Sequence, residues 1–254
     1  IFKINLLLSI FFTLIFSSNV YAQNSFSYLK SGIEKVERGE YKEAIIDLKK
    51  SIEIDPRNYL SYYNLGTIKG KIMADMESAI FYFTKAIEIK PDYALAYNNR
   101  GNAKKNLGDY SGASQDYSKA ILIDPTNDAS FYNRGLIKKK LGDYRAANID
   151  YTKALELNPK NELAYNSRGN SRYELLDYSA AISDYDKSIE LNPNYLDSYL
   201  NRGSAKSNLG DYFGAISDFS QAIKLKPDAK AYYNRGSIRS KLIIESKRAI
   251  DDFS

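Results

Sequence analysis

The chain has 254 residues, contains neither cysteine nor histidine, and carries a formal net charge of +5 at neutral pH. Disulfides, thiolate nucleophiles, Cys/His zinc sites and imidazole catalysis are therefore excluded. Acidic and basic residues are interleaved along most of the sequence instead of forming one basic stripe, which argues against a nucleic-acid-binding protein.

The first 22 residues have the three-part layout of a secretory signal peptide. Lys3 supplies a positive charge, Leu6–Phe16 is an 11-residue apolar stretch, and Val20-Tyr21-Ala22 resembles a cleavage site ahead of Gln23. A transmembrane helix needs roughly 20 apolar residues, so this stretch is too short. We therefore predict cleavage after Ala22, a secreted or periplasmic protein, and no membrane span in the mature chain. A retained membrane anchor is the alternative.

Beyond residue 22 the sequence repeats with a period of about 34 residues. The steps between its six prolines are 35, 34, 34, 34 and 34 residues. A period of this length is typical of supersecondary units stacked along one axis. The prolines are Pro56, Pro91, Pro125, Pro159, Pro193 and Pro227. The rows begin near Ser25, Tyr59, Ala94, Asp128, Glu162, Leu196 and Ala229, and the last row is incomplete.

Each row predicts two helices joined at a short corner. Apolar columns lie three and four residues apart, one column is glycine in every row, and another is alanine followed four residues later by a bulky apolar or aromatic residue. Most corners read Gly-Asp-Tyr or Gly-Glu-Tyr, where the glycine closes the first helix and the acid favours the start of the second. Rows two and seven carry one extra residue near this corner, and Leu176 replaces the glycine of row five.

These rows resemble tetratricopeptide repeats, as in Tyr97-x-x-x-Gly101, Ala113-x-x-x-Tyr117 and Pro125. The likeness covers 25–254, or about six and a half to seven repeats. It implies an all-α fold over 23–254: a right-handed superhelical α-solenoid of tandem helix–turn–helix repeats. It also implies a non-enzymatic scaffold, without cofactor or metal, that binds an extended peptide or a partner protein in a concave groove.

Five rows depart from the family pattern by placing arginine before the conserved glycine, where leucine is usual. Each of these rows also has an aspartate three residues after its alanine. In row two leucine replaces the arginine and Tyr82 replaces the aspartate. We therefore predict that arginine and aspartate pair between the two helices of a row, with ligand binding as the alternative. The predicted pairs are Arg100–Asp116, Arg134–Asp150, Arg168–Asp184, Arg202–Asp218 and Arg235–Asp252.

The resemblance also implies which residues face the groove, since the first helix of each repeat lines it in this family. The predicted groove residues are Tyr63, Asn64, Lys71, Asn98, Asn99, Asn102, Lys105, Tyr132, Asn133, Lys139, Asn166, Asn170, Tyr173, Asn201, Tyr233 and Asn234. The four tyrosines are the expected aromatic anchors. Asn98 stands where the family's carboxylate clamp has its first lysine, so recognition of an Hsp70-type tail is not expected.

Two features of this surface point to a ligand. Lysines cluster at the ends of the first helices in rows two to four, which favours an acidic peptide or a C-terminal carboxylate. This lysine cluster consists of Lys69, Lys71, Lys104, Lys105, Lys138, Lys139 and Lys140. Solvated helix ends that complement the helix dipole are the alternative. A column of asparagines, resembling the ladder in the repeat region of O-GlcNAc transferases, can hold a peptide backbone, although asparagine is also an ordinary framework residue there.

The remaining features of the sequence bear on catalysis and on the C-terminal end of the array. No glycine-rich phosphate loop occurs, and the carboxylates are scattered on helix faces and corners, so an enzyme is not expected. The sequence stops inside the second helix of row seven without a polar capping element. The array could therefore be the substrate-recognition region of a longer enzyme such as a glycosyltransferase, or it could self-associate through the uncapped end.

Overall fold

The structure is a computed structural model that describes residues 23–252, apart from the side chains of 245, 246 and 248–252. The predicted signal peptide and the side chain of Asp252 lie outside the described residues. Within 23–252 every regular element is a helix and no strand is present, which confirms the all-α prediction. In the same range no helix combines the length and the hydropathy needed to cross a membrane.

The helices alternate between the first and the second member of successive pairs. The first helices are α1 (23–37), α3 (Tyr59–Thr67), α5 (Ala94–Asn106), α7 (Asp128–Lys140), α9 (Glu162–Glu174), α11 (Leu196–Asn208) and α13 (Ala229–Asp252). The second helices are α2 (Tyr41–Ile54), α4 (Met76–Ile89), α6 (Tyr110–Ile123), α8 (Tyr144–Leu157), α10 (Tyr178–Leu191) and α12 (Tyr212–Leu225).

The corner residues end one helix and begin the next in the way that the sequence predicts. Gly108, Gly142 and Gly210 adopt φ values of 83–84°, a conformation that glycine takes without steric cost. The aspartate after each glycine accepts a hydrogen bond from the backbone N–H three residues later, as Asp143 does from Ala146 at 2.9 Å. This bond satisfies one of the free N–H groups at the start of the second helix.

Small residues let the two helices of a pair lie close together. The alanine column is fully buried wherever its side chain is described, for example at Ala113, Ala147 and Ala181. The glycine on the first helix faces the aromatic ring on the second, so that a Cβ placed on Gly135 would lie 2.7 Å from Cε1 of Tyr151. The aromatic ring fills the space that the missing side chain leaves.

The chain divides into two compact units, one ending at Pro125 and the other beginning at Thr126. In the first unit α4 packs against both α3 and α5, and α5 packs against α6. In the second unit α8 packs against α7 and α9, α10 against α9 and α11, and α12 against α11 and α13. Each unit is therefore a stack of helix pairs, as expected of an α-solenoid.

The extra residue of row two is absorbed by a change of helix type. After Thr67 the chain forms a π-helical segment, Ile68–Ile72. Met73 N–H then bonds to Ile68 O at 3.1 Å, and Ala74 takes a φ of 53°. A π-turn accommodates one more residue than an α-turn, so the second helix still begins at Met76 with Asp75 as its cap.

Row seven does not divide into two helices, contrary to the sequence prediction. Helix α13 runs without interruption from Ala229 to Asp252. The expected corner, around Leu242–Glu245, contains neither glycine nor proline, so nothing in the local sequence stops the first helix.

Leu176 keeps the left-handed conformation that glycine supplies at four other corners. Its φ is 64°, and its side chain is largely exposed. A left-handed conformation costs a residue with a Cβ atom about 1–2 kcal/mol. The corner of the fifth pair is therefore strained, as expected for this substitution.

Candidate functional site

The arginine on each first helix pairs with the aspartate on the second helix of the same pair. In four pairs the contact is bidentate, with Nε–Oδ2 distances of 2.9–3.0 Å and Nη2–Oδ1 distances of 2.6–2.7 Å. All four aspartates are buried. The pairs are Arg100–Asp116, Arg134–Asp150, Arg168–Asp184 and Arg202–Asp218. The prediction is confirmed for these four, whereas the partner of Arg235 lies outside the described side chains.

Each of these aspartates also binds a second cation, which the sequence interpretation missed. Lys104, Lys138, Arg172 and Lys206 lie four residues after the arginine and contact the same carboxylate at 2.8–3.0 Å. The regular spacing of these basic residues in the sequence was the available signal. Lys104 and Lys138 therefore belong to the framework, and the predicted basic surface is left with fewer unpaired lysines.

The arginines also link consecutive pairs within a unit. Arg100 Nη1 donates to Thr84 on the preceding second helix at 3.1 Å, and Arg168 does the same to Thr152 at 3.2 Å. Arg202 reaches Asp186 at 2.6 Å. Each of these three guanidinium groups is therefore held by two second helices, which supports a structural role for this column.

In the first unit, a pocket of about 350 Å³ lies between α3, α4 and α5. Phe83, Met76 and Ala103 contribute apolar surface, and Asn99 and Asn102 contribute amides. Lys71 is its only charged lining residue among those described. We call it the unit-1 pocket. Its full lining is Gly66, Gly70, Lys71, Ala74, Met76, Phe83, Asn99, Asn102, Ala103 and Asn106.

In the second unit, a pocket of about 440 Å³ has a different character. Three lysines and one glutamate give its lining a net charge of +2, and three phenols surround the amides of Asn170 and Asn201. We call it the unit-2 pocket. It is lined by Lys139, Lys140, Tyr144, Asn170, Tyr173, Glu174, Tyr185, Asn201, Ser204 and Lys230.

Internal hydrogen bonds orient the amides that face these pockets. Asn99 donates its NH₂ group to the Tyr63 hydroxyl at 3.0 Å, which leaves its carbonyl oxygen to accept. Asn102 accepts from the Tyr117 hydroxyl at 2.9 Å, which leaves its NH₂ group to donate. Among the described residues neither remaining group has a partner. Each asparagine therefore bonds one end of its amide within the protein and leaves the other end free to bind a ligand.

The same division of roles recurs in the second unit. Asn170 accepts from the Tyr185 hydroxyl at 2.9 Å, so its NH₂ group is left to donate. Asn201 donates to Asn166 Oδ1 at 3.1 Å, so its carbonyl oxygen is left to accept. Among the asparagines that line each pocket, one thus keeps its carbonyl oxygen and another its NH₂ group free of partners among the described residues.

The other predicted groove residues are placed in several environments. Asn98 and Asn166 are buried, and Asn64 donates to the carbonyl of Leu60 in its own helix. Tyr63 and Tyr132 are half-buried against Phe83 and Tyr151, respectively, and Asn133 is half-buried beside Tyr132. Tyr173 and Asn234 line a smaller pocket of about 180 Å³, whereas Tyr233 is 75% exposed.

Two predicted lysines, Lys105 and Lys139, are partly buried without a hydrogen bond or ion pair among the described residues. Burial lowers the pKa of both ammonium groups, and nearby Glu174 partly offsets this effect at Lys139. An anion that reached Lys139 would therefore meet a partly desolvated cation, for which electrostatic attraction is stronger than in bulk water.

The Tyr151 hydroxyl lacks the partner that its equivalents have. It is buried with no hydrogen bond of normal geometry among the described residues, although the Ser167 side chain lies near it, since Leu136 stands where Asn102 and Asn170 stand in the neighbouring rows. We expect Tyr151→Phe to raise the free energy of unfolding by about 1 kcal/mol, because an unsatisfied buried hydroxyl is removed. Tyr117→Phe and Tyr185→Phe should lower it by about the same amount. Urea unfolding of the three variants tests this, and a loss of stability in Tyr151→Phe would contradict it.

Known protein families and solved structures match most of the chain. Families described as tetratricopeptide repeat match residues 59–93, 94–127, 129–161, 163–195 and 184–217, and a family described as TPR repeat matches 32–71. No curated protein matches the chain in sequence.

Three solved structures illustrate the similarity of fold. PilF of Pseudomonas aeruginosa is 21% identical with a TM-score of 0.73, covering 87% of this chain and 99% of its own. A tetratricopeptide repeat protein of Parabacteroides merdae is 24% identical with a TM-score of 0.68, covering 90% and 91%. YrrB, described as a TPR protein with an unusual peptide-binding site, is 24% identical with a TM-score of 0.66, covering 74% and 97%.

Proposed function

The chain belongs to the tetratricopeptide repeat family, and from this premise we propose that it is a non-enzymatic scaffold that binds an extended peptide segment of a partner protein. The oriented asparagines of the two pockets carry this proposal. YrrB, a TPR protein of similar fold with an unusual peptide-binding site, supports the same class of ligand.

A peptide group offers one N–H donor and one C=O acceptor, and each pocket offers the complement of both. Asn99 and Asn201 present a carbonyl oxygen to the ligand, and Asn102 and Asn170 present an NH₂ group. Because the internal hydrogen bonds hold these amides in place, little side-chain entropy is lost on binding. Backbone recognition of this kind depends only weakly on the peptide's sequence.

The charge of the unit-2 pocket supports a preference for acidic ligands. Lys139, Lys140 and Lys230 outnumber Glu174, the one carboxylate in the lining. An Asp or Glu side chain, or a C-terminal carboxylate, would complement this charge and associate faster at low salt. The pKa of Lys139 is lowered by burial, so its charge, and its contribution to this preference, is lost at a lower pH than for an ordinary lysine as the pH rises.

The amides can be tested by exchanging the ligand-facing NH₂ for oxygen. Asn102→Asp and Asn170→Asp keep an acceptor for the hydroxyls of Tyr117 and Tyr185 but remove the donor that faces the ligand. Peptides enriched from a displayed random library against the wild-type protein are synthesised and measured by calorimetry. The lost hydrogen bond should weaken binding at each pocket by about fivefold in the double variant.

A matched control makes the same chemical change away from the pockets. Gln115→Glu on the exposed face of α6 and Asn194→Asp at an exposed turn add the same two charges, one in each unit. This control should bind like the wild type. Equal affinity of all three proteins, or the absence of any enriched peptide, would refute the proposal.

We further propose that the protein is exported and that residues 1–22 are removed. The charged start, the apolar stretch and the small residue at Ala22 support this. Intact-mass measurement of the protein expressed with its own leader should give a chain beginning at Gln23. A mass that retains the leader would contradict cleavage.

A further inference from the structure

The π-turn of row two gives the unit-1 pocket a different construction from the unit-2 pocket. The inserted residue is held in Ile68–Ile72, and the chain then passes through Ala74 in a left-handed conformation before Asp75 caps α4. Single π-turns within α-helices occur frequently at functional sites. The unit-1 pocket lies directly beside this turn, which contributes Gly70 and Lys71 to its lining.

Gly70, inside the π-turn, lines that space without a side chain. Four residues after the column glycine, the next three rows carry Lys105, Lys139 and Tyr173. Gly70 has no side chain at this position, and it lines the unit-1 pocket beside Gly66. A Cβ atom at Gly70 would lie 3.1 Å from Cβ of the buried Ala79, so the missing side chain lets the π-turn lie close against α4. This row therefore lines its pocket with glycine where rows four and five line the unit-2 pocket with Lys139 and Tyr173.

The surface exposed in this way is mainly uncharged. Phe83 and Ala103 are buried elements of the helix packing that also line the pocket. Met76 lies at its edge, where its sulfur contacts the amide of Asn106 at 3.7 Å. Lys71 is exposed, so its charge remains solvated. An apolar group that entered this pocket would be removed from water and would break no ion pair of the protein.

We propose that the unit-1 pocket holds one large apolar side chain, such as leucine, methionine or phenylalanine, of a bound extended peptide. Asn99 and Asn102 would hold the adjacent peptide group, since their open acceptor and donor line the same pocket. The inference rests on the proposed function, because it assigns a side-chain preference to one of the two peptide-binding pockets. The unit-1 pocket then selects the side chain of the peptide, whereas the asparagines bind its backbone.

The preference can be measured with three blocked pentapeptides that differ only at the centre: acetyl-Ser-Ser-X-Ser-Ser-amide with X as Leu, Ser or Asp. Each is titrated into ¹⁵N-labelled protein while the signals of Gly66, Gly70 and the side-chain amides of Asn99 and Asn102 are followed. Burial of a leucine side chain should lower the dissociation constant at this pocket about tenfold relative to serine. The Asp peptide should bind no better than the Ser peptide.

Two variants place the effect at Gly70. Gly70→Lys installs the side chain that rows three and four carry, and it should reduce the preference for Leu over Ser to about one. Ser207→Lys adds the same residue in the same column of the sixth row, in the other unit, and should leave the preference intact. Signal dispersion in the spectra shows whether each variant is folded.

The comparison of peptides on the wild-type protein decides the inference without any variant. Equal affinities of the Leu and Ser peptides, with shifts at Asn99 and Asn102, would overturn the apolar pocket while leaving backbone binding intact. Tighter binding of the Asp peptide at Gly70 would also overturn it, because Lys71 would then determine the preference. The absence of shifts at the asparagines of both units with all three peptides would refute the proposed function itself.

Discussion

Arg100→Leu is expected to lower the free energy of unfolding by about 3–5 kcal/mol, because it leaves a buried carboxylate without its main partner. Asp116 is only 4% exposed and accepts two hydrogen bonds from the guanidinium. After the substitution Lys104 would remain as its one cation, at 2.8 Å. The bond from Arg100 to Thr84 on the preceding pair would also be lost.

The double variant Arg100→Leu/Asp116→Tyr should recover most of this loss. Row two carries Leu65 and Tyr82 at the corresponding positions, and these two side chains pack in the same apolar cluster. In that row Lys69 turns to the helix-capping Asp75 at 3.3 Å, and Lys104 could turn to Asp109 in the same way. An apolar pair of suitable volume can replace a buried ion pair at little cost. We expect the double variant to lie within about 1 kcal/mol of the wild type.

Urea unfolding followed by circular dichroism gives the coupling energy between the two positions. As a control, Lys85→Met removes an ion pair with Glu88 that is largely exposed, and it should cost less than about 0.5 kcal/mol. A double variant less stable than both Arg100→Leu and Asp116→Tyr would show that the leucine–tyrosine pair of row two cannot replace the ion pair in row three. The arginine and aspartate would then be required for more than their mutual pairing.

Features of the fold that recur in several rows could be predicted from the sequence. The arginine–aspartate pairing could be inferred because both residues change together in row two. The corners were predictable because glycine and aspartate have specific conformational roles there. The continuous helix of row seven was not, although its missing glycine was visible. The sequence also showed one extra residue in row two, but not whether a loop or a π-turn would hold it.

The candidate site was less predictable than the fold, because hydrogen bonds within the protein decide what each side chain offers. Asn99 and Asn201 could be identified in the asparagine column, and Asn102 and Asn170 as groove residues. The open side of each amide, however, depends on its contact with Tyr63, Asn166, Tyr117 or Tyr185. Similarly, Lys104 and Lys138 could not be assigned to the framework until the carboxylates of Asp116 and Asp150 were located. Neither distinction follows from residue type and spacing alone.

Gly169→Ala is expected to lower the free energy of unfolding by about 2 kcal/mol, although alanine is the better helix former. A Cβ atom at Gly169 would lie 2.6 Å from Cε1 and 2.9 Å from Cδ1 of Tyr185. Tyr185 is buried, and its hydroxyl is bonded to Asn170, so the ring cannot move away freely. Overpacking of this kind costs about 1–3 kcal/mol or more and outweighs a helix-propensity gain of about 1 kcal/mol.

Gly203→Ala is the matched control, since the same column there faces Phe219 at 3.0 Å or more. Phe219 has no hydroxyl to hold it, so a small shift relieves the contact, and the loss should be clearly smaller. Equal losses in the two variants would show that the tyrosine's hydrogen bond does not restrain the ring.

The effect of Gly169→Ala should extend to the unit-2 pocket, because the ring that the new methyl group displaces also orients Asn170. The side-chain NH₂ signals of Asn170 should therefore shift in ¹⁵N spectra, whereas those of Asn102 in the other unit should not. Binding of an acidic peptide should weaken together with this shift. If the peptide bound Gly169→Ala as tightly as the wild type while the Asn170 signals moved, the orientation of that amide would not contribute to recognition.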